Sequence, residues 1–318
     1  MIPGERLYTT TMTETFNERL ERTVRVRDSH LCVGLDPDFE KVRATMRDAI
    51  IRKLSQQPLF FGFVTTEAGR AQQPTNISLD QLADEPDLAN EAACEMVIAV
   101  THEHAAAFKP NAAFFEMALA GSTSLPELMR SKPEPVLSIY DGKRGDIGNS
   151  SDQYARRILE QGGYDAVTVN PLMGRDAVAP FLRNPQRGAF LLCLTSNPGA
   201  DDFLTPGDLY KRIAEKAVEW NTNGNVGLVV GATRPEQAAA VRAIAPNLPF
   251  LVPGVGAQGA PLDEILDAID ARNNRRFLIN SSRGIMFAKP EGDEDLFLAI
   301  ANAAARLRAE INAWLAKG

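Results

Sequence analysis

VGLVVGATRPEQAAAVRAIAPNLPFLVPGVG, residues 226–256, holds a complete strand–helix–strand unit. VGLVVGA (226–232) is almost continuously apolar, as a strand covered on both faces must be. Pro235 suits the first helical position, where its missing N–H is not needed, and Ala239, Val241 and Ile244 follow at helical spacing. FLVPGVG (250–256) then returns as a second apolar run.

The same pattern extends outward in both directions. Six further runs read as strands: LCVGLD (31–36), AAFKPN (106–111), PVLSIYD (135–141), DAVTVNP (165–171), AFLLCLT (189–195) and RFLIN (276–280). Helical spacing recurs between them, as with Tyr154, Ile158 and Leu159 before the fourth run. Eight strands alternating with helices predict a closed (β/α)8 TIM barrel as one domain over 1–318. An open doubly wound sheet is the alternative, because strand number alone does not prove closure. Phe16, Leu20 and Val24 mark a helix before the barrel, and Leu296, Ile300, Ala303, Leu307 and Ile311 one after it.

The first connection breaks the rhythm. About 70 residues separate the first two runs, far more than a loop and one helix need. Residues 56–87 are read as an insertion, a small subdomain or a lid, with Phe60, Phe61 and Phe63 as its apolar patch.

Composition narrows the function classes. The chain has 318 residues with 34 basic and 41 acidic side chains, a formal charge of −7 without long like-charge blocks, so no nucleic-acid partner is expected. No stretch approaches the ~18 consecutive apolar residues of a membrane span, and the polar start MIPGERLYTTTMTETFNERL lacks a secretory core. Cys32, Cys94 and Cys193 lie in apolar runs at spacings that fit neither zinc nor a disulfide framework, which suggests buried thiols and a cytoplasmic protein. Only His30, His102 and His104 are present, without a His-Glu-x-x-His pattern, and the latter two are read as helix-end or loop residues; no metal site is expected.

A barrel of this kind works at the C-terminal ends of its strands, so polar residues that end apolar runs are the candidates. Asp36, Lys109, Asp141, Asn170 and Thr195 with Ser196 end the first five runs. The densest group is YDGKRGDIGNSSDQY (140–154), in which an extended backbone would point Asp141 and Lys143 to one side, with Asp146 close behind. With Lys109 from the adjacent strand, two lysines and two carboxylates would converge, each favouring the charged form of its neighbours. A lysine held between aspartates stays protonated and can act as a general acid; the flanking carboxylates argue against a Schiff base. A structural ion-pair network is the plain alternative. After the seventh and eighth strands, PGVGAQGA (253–260) and NSSRGI (280–285) form glycine-rich turns that bring Gln258 and Arg283 to a shared point suited to phosphate.

Together LCVGLDPD (31–38), FKPNAAFFE (108–116), DGKRGDIGNSS (141–151), VNPLMG (169–174), LTSNPGA (194–200), VPGVGAQGA (252–260) and SSRGI (281–285) resemble the orotidine 5′-phosphate decarboxylase family, in its longer bacterial branch. The resemblance runs from about residue 14 to 290 outside the insertion. It departs at the longer 56–87 segment and at Gly142, where the branch usually has alanine, a change expected to loosen the turn. It implies decarboxylation of orotidine 5′-monophosphate without any cofactor, with Lys109, Asp141, Lys143 and Asp146 as the catalytic array. It further implies a homodimer in which Asp146 and Ile147 reach the partner subunit's site and Ser150 lies near the ribose across the interface. Asp36 and Lys109 would hold ribose hydroxyls, Ser196 the pyrimidine, and Gln258 and Arg283, with Gly284 beside it, the 5′-phosphate; Asn170 completes the substrate-binding set. Two other readings stay open: a Mg²⁺-dependent enzyme acting on keto-sugar phosphates through an Asp-x-Lys-x-x-Asp array, and a catalytically silent phosphoribosyl-ligand binder.

Overall fold

Eight parallel strands close on themselves in chain order: β1 (Leu31–Leu35), β2 (Ala107–Pro110), β3 (Leu137–Arg144), β4 (Ala166–Val169), β5 (Gly188–Leu194), β6 (Val226–Val230), β7 (Phe250–Pro253) and β8 (Phe277–Ser281). Closure comes from β1 pairing with β8, Leu31 opposite Ile279 and Val33 opposite Ser281, which sets the open sheet aside. The computed structural model describes residues 14–56, 79–116, 124–131, 136–255, 260–292 and 294–317.

The α-helices among them are α1 (Phe16–Arg27), α2 (Phe39–Gln56), α3 (Leu79–Ala83), α4 (Pro86–Thr101), α5 (Ser124–Arg130), α6 (Gly148–Ala155), α7 (Arg175–Leu182), α8 (Ala200–Phe203), α9 (Leu209–Trp220), α10 (Pro235–Ile244), α11 (Leu262–Ala268), α12 (Arg283–Met286) and α13 (Leu296–Leu315). None is long and apolar enough to cross a membrane.

Both faces of the strands are buried, which explains their continuous apolar runs. Inside the barrel Cys32, Ile139, Ala166, Phe190, Leu251 and Leu278 pack together, and α1 plugs the N-terminal end with Phe16, Leu20 and Val24. The Phe16 ring lies so close to Gly188 that a β-carbon there would stand 2.2 Å from it, so β5 must begin with glycine. Burying a side chain of this size contributes roughly 1.5–3 kcal/mol, enough to fix α1 as part of the core. A capping box of Thr15 and Glu18 starts that helix.

The long first connection resolves into barrel parts at both ends. Gln56 closes α2 and Pro86 opens α4, whose Ala89, Ala93, Cys94, Val97 and Ile98 are buried against β1, β2 and α13. Arg47 of α2 binds Asp80 at 2.9 Å and Asp84 at 3.0 Å, tying α3 alongside. Residues 57–78, with Phe60, Phe61 and Phe63, lie outside the described residues, and so does the choice between subdomain and lid.

The three cysteines are buried and form no disulfide, and burial pushes the Cys32 and Cys193 thiols up to about 12. His102 and His104 form the turn that ends α4. His30 stacks on Phe277 with ring centres 4.0 Å apart and its Nδ1 bonds the Phe277 carbonyl at 3.0 Å; burial pulls its pKa down to about 4.

Strand ends match the apolar runs closely except at β3, which continues three residues past Asp141 through Gly142, Lys143 and Arg144. The reason is a bulge. Tyr140 pairs with Val167 and Arg144 with Val169, so three residues of β3 stand opposite one of β4.

Candidate active site

At the C-terminal end of the barrel, residues from β2 to β7 enclose a cavity of about 240 Å³. Leu192, Val229 and Leu251 give it an apolar floor, and Lys109, Asp141 and Lys143 a charged wall. Lys109 Nζ lies 2.5 Å from Asp141 Oδ2, and Lys143 Nζ lies 2.8 Å from Asp141 Oδ1. Thr168 completes the group by donating from Oγ1 to Asp141 Oδ1 at 2.8 Å. Three donors therefore converge on one buried carboxylate.

Electrostatics follow from that count. Burial alone would raise the Asp141 pKa, but the two ammonium groups and their hydrogen bonds outweigh it and hold the carboxyl well below its usual range. Lys109 behaves as the mirror image: burial lowers its pKa, while Asp141 and Asp36 raise it further, so it stays an ammonium. The Lys143 side chain is 52% exposed, against 6% for Lys109, so of the two cations it is the one open to a ligand in the cavity.

The convergence of Asp141 and Lys143 does not come from simple strand alternation. Lys143 adopts φ 46°, a left-handed conformation unusual for a non-glycine residue, and the bulge rather than the pleat aims its side chain. Gly142 also has a different role from a loosened turn. A β-carbon there would stand 2.6 Å from Tyr140 Cε1 and 3.2 Å from Arg144 Nε, so glycine makes room for the Tyr140 ring. On this outer face Arg144 binds Glu116 and lies 5.5 Å from the Tyr140 ring centre and 5.0 Å from that of Tyr154.

The other sequence candidates are placed as follows. Asp36 follows β1, and its Oδ1 is buried with no hydrogen-bond partner among the described residues. Among the described residues Asp146 pairs with no lysine; its Oδ1 accepts the Ile147 N–H at 2.8 Å. Ile147 is 53% exposed and Ser150 is exposed on α6. Asn170 spends its Oδ1 on the Leu172 N–H at 3.0 Å, capping the turn after β4. Ser196 lines the cavity, and its loop is fastened by Thr233 Oγ1 donating to Ser196 O at 3.0 Å and by Arg234 gripping Asp201 through two bonds of 2.8 and 2.9 Å. Arg283 and Gly284 are exposed at the start of α12. Gln258 lies outside the described residues.

Two features escaped the sequence reading. Thr168 looks like one more β-branched strand residue, and only its position opposite the charged strand end could have flagged it. Asn280 Oδ1 and Ser282 Oγ, at the end of β8 beside Gly34, are buried and have no hydrogen-bond partner among the described residues. Among the described residues no three His, Cys, Asp or Glu side chains cluster to hold a metal. A larger cleft, about 1000 Å³, opens at the opposite end of the barrel between α1 and α13, but salt bridges pair Arg22 with Glu14 and Arg276 with Glu21, and nothing there matches the lysine–aspartate chain.

Residues 29–294 match the model of the orotidine 5′-phosphate decarboxylase / HUMPS family. The chain is 40% identical over 319 residues to the orotidine 5′-phosphate decarboxylase of Halorubrum lacusprofundi, covering 95% of this chain and 98% of that protein. It is 39% identical to the enzyme of Roseiflexus sp. strain RS-1, with 95% and 98% covered. Among solved structures, the OMP decarboxylase of Leishmania donovani superposes with a TM-score of 0.69 at 36% identity, covering 96% of this chain and all of that one. The UMP synthase of the same organism gives 0.71 at 39% identity, and this chain spans 57% of its length. With the barrel, the seven motifs and these relatives in agreement, the chain belongs to the orotidine 5′-phosphate decarboxylase family.

Proposed function

We propose that this protein converts orotidine 5′-monophosphate to uridine 5′-monophosphate and CO₂, the decarboxylation step of de novo pyrimidine synthesis. The observation that carries this reading is the Lys109–Asp141–Lys143 chain set over an apolar-floored cavity in a member of this family.

In the proposed reaction the bond from C6 to the carboxylate breaks and its electron pair stays on C6. No adjacent group of the pyrimidine can delocalise that pair, so the protein must stabilise it electrostatically. Lys143, cationic and already fixed by Asp141, faces the developing charge and then transfers a proton to C6. A cation held in place before the reaction has little reorganisation left to undergo. Asp141 beside the substrate carboxylate disfavours the ground state, and the apolar floor of Leu192, Val229 and Leu251 suits departing CO₂. Lys143 supplies the charge and the proton, so the chemistry draws on no metal or organic cofactor.

Binding groups ring this centre. Asp36, whose free Oδ1 needs a donor, pairs with Lys109 on the ribose hydroxyls, and Ser196 meets the pyrimidine from the β5 loop. Gln258, Arg283 and Gly284 take the 5′-phosphate, remote binding energy that can be spent on crowding at C6. Asn170 stands at the rim, its backbone N–H bonded to Arg144 O at 2.6 Å.

The same bond joins the loops that carry Ile147, Leu172 and Met173, which are 53%, 56% and 52% exposed. Such apolar exposure beside the site supports a homodimer in which Asp146, Ile147 and Ser150 complete the partner's pocket. Buried thiols fit a cytoplasmic setting.

The test is to incubate EDTA-treated protein with orotidine 5′-monophosphate and follow the ultraviolet absorbance. Conversion to uridine 5′-monophosphate under chelation is expected. Its absence, with activity instead on a keto-sugar phosphate in Mg²⁺, would overturn the reading.

A further inference from the structure

The β3–β4 ladder breaks where the chemistry sits. Asp141, Gly142 and Lys143 face a single residue of β4, Thr168, which is 2% exposed. Inside this bulge Lys143 holds φ 46°, a conformation that persists only when its surroundings enforce it. Its backbone N–H donates to Thr168 Oγ1 at 2.9 Å. A hydroxyl that accepts one such bond has a single proton left to give, and here that proton goes to Asp141 Oδ1 at 2.8 Å. The same oxygen receives Lys143 Nζ at 2.8 Å. A closed ring results, running from the Lys143 backbone through the Thr168 hydroxyl to the Asp141 carboxylate and back to the Lys143 ammonium.

We infer that Thr168 is a positioning residue for the proposed reaction: one hydroxyl fixes both the backbone from which Lys143 springs and the carboxylate that its ammonium binds. The inference rests on the decarboxylase reading, which gives Lys143 its task. It needs the hydroxyl, not merely a β-branched side chain that suits a strand. Valine would fill the same space and satisfy the same strand preference, yet would leave the Lys143 N–H and one lone pair of Asp141 without their partner. The ring would open, and Lys143 would lose the support for its left-handed backbone. Because the proposed phosphate, ribose and pyrimidine contacts come from other loops, the loss falls on turnover and not on capture of substrate.

The decisive comparison sets Thr168→Val beside Thr168→Ser. Misplacing a reacting group by about 1 Å can cost of order 100-fold, so Thr168→Val should lower kcat by roughly that factor while KM stays within about twofold. Thr168→Ser keeps the hydroxyl and should restore kcat to near the starting value. A readout that needs no turnover runs alongside: the Lys143 amide should exchange with solvent at least about tenfold faster in Thr168→Val than in the parent protein, and no faster in Thr168→Ser. A parent protein that shows this exchange pattern but does not decarboxylate orotidine 5′-monophosphate would sink the decarboxylase reading and leave the ring standing. Wild-type kcat and amide protection in Thr168→Val would overturn the inference. So would equal impairment of both variants, because Thr168→Ser keeps the hydroxyl and should not share the defect.

Discussion

Replacing Lys109 by methionine removes the charge that most directly neutralises Asp141 while keeping a side chain of similar length in the β2 position. Lys109 is 4% exposed and Asp141 9% exposed, so the surviving carboxylate stays buried. Breaking a buried pair from one side costs about 3–5 kcal/mol. Here Lys143 and Thr168 still bind Oδ1, which brings the expected loss at pH 7 to the lower end, about 3 kcal/mol. The pH dependence gives the sharper signature. In the parent protein the folded-state pKa of Asp141 lies below its unfolded value near 3.8, so its stabilisation is present above that value and is lost as pH falls through the folded pKa. Burial is the largest single influence on Asp141 and is opposed by both lysines. With Lys109 gone and only Lys143 left to oppose it, the carboxyl is expected to rise and to take up a proton in mild acid. The gap between variant and parent should then close by up to about 1.4 kcal/mol per pH unit once the variant's carboxyl titrates. Urea unfolding at pH 7 and pH 4, followed by the fluorescence of Trp220 and Trp314 at one fixed protein concentration, measures it. A gap below about 1 kcal/mol at pH 7, or one unchanged at pH 4, would refute the account of Asp141 as a buried carboxylate held ionised by Lys109.

Two further outcomes are expected. Gly142→Ala should lower stability by about 1 kcal/mol, because crowding against the Tyr140 ring at 2.6 Å outweighs the smaller gain from restricting the unfolded chain; a raised melting temperature would show that the ring simply moves aside. Ile147→Asp should shift the protein from dimer to monomer in sedimentation and lower its activity at low protein concentration, whereas an unchanged dimer would remove this surface from the interface.

The barrel was legible because parallel strands buried on both faces leave continuous apolar runs, and eight of them stand out from the helices between. The end of β3 was not. The third apolar run ends at Asp141 and residues 141–143 read as an extended stretch, but nothing in their composition signals a bulge that keeps them in the sheet through Arg144. The lysines and Asp141 could be named because charges at strand ends are rare enough to notice, but their convergence depends on a left-handed backbone at Lys143 that alternation cannot foresee. Thr168 was hidden inside an apolar run, where a threonine is ordinary. Asn170, a candidate binding group at a strand end, carries a structural task that the sequence does not signal: its Oδ1 caps the next turn. The first connection concealed α4, since its buried face belongs to the barrel while the segment before it follows no barrel pattern.

The measurement that bears most directly on the central claim is the single-turnover rate of Lys143→Ala on orotidine 5′-monophosphate, taken beside its affinity for uridine 5′-monophosphate. The account predicts that turnover is abolished while the product nucleotide still binds with nearly parental affinity, because phosphate and ribose contacts come from other loops. Decarboxylation at the parental rate would contradict it, since the electron pair left on C6 would then be stabilised and protonated by some other group.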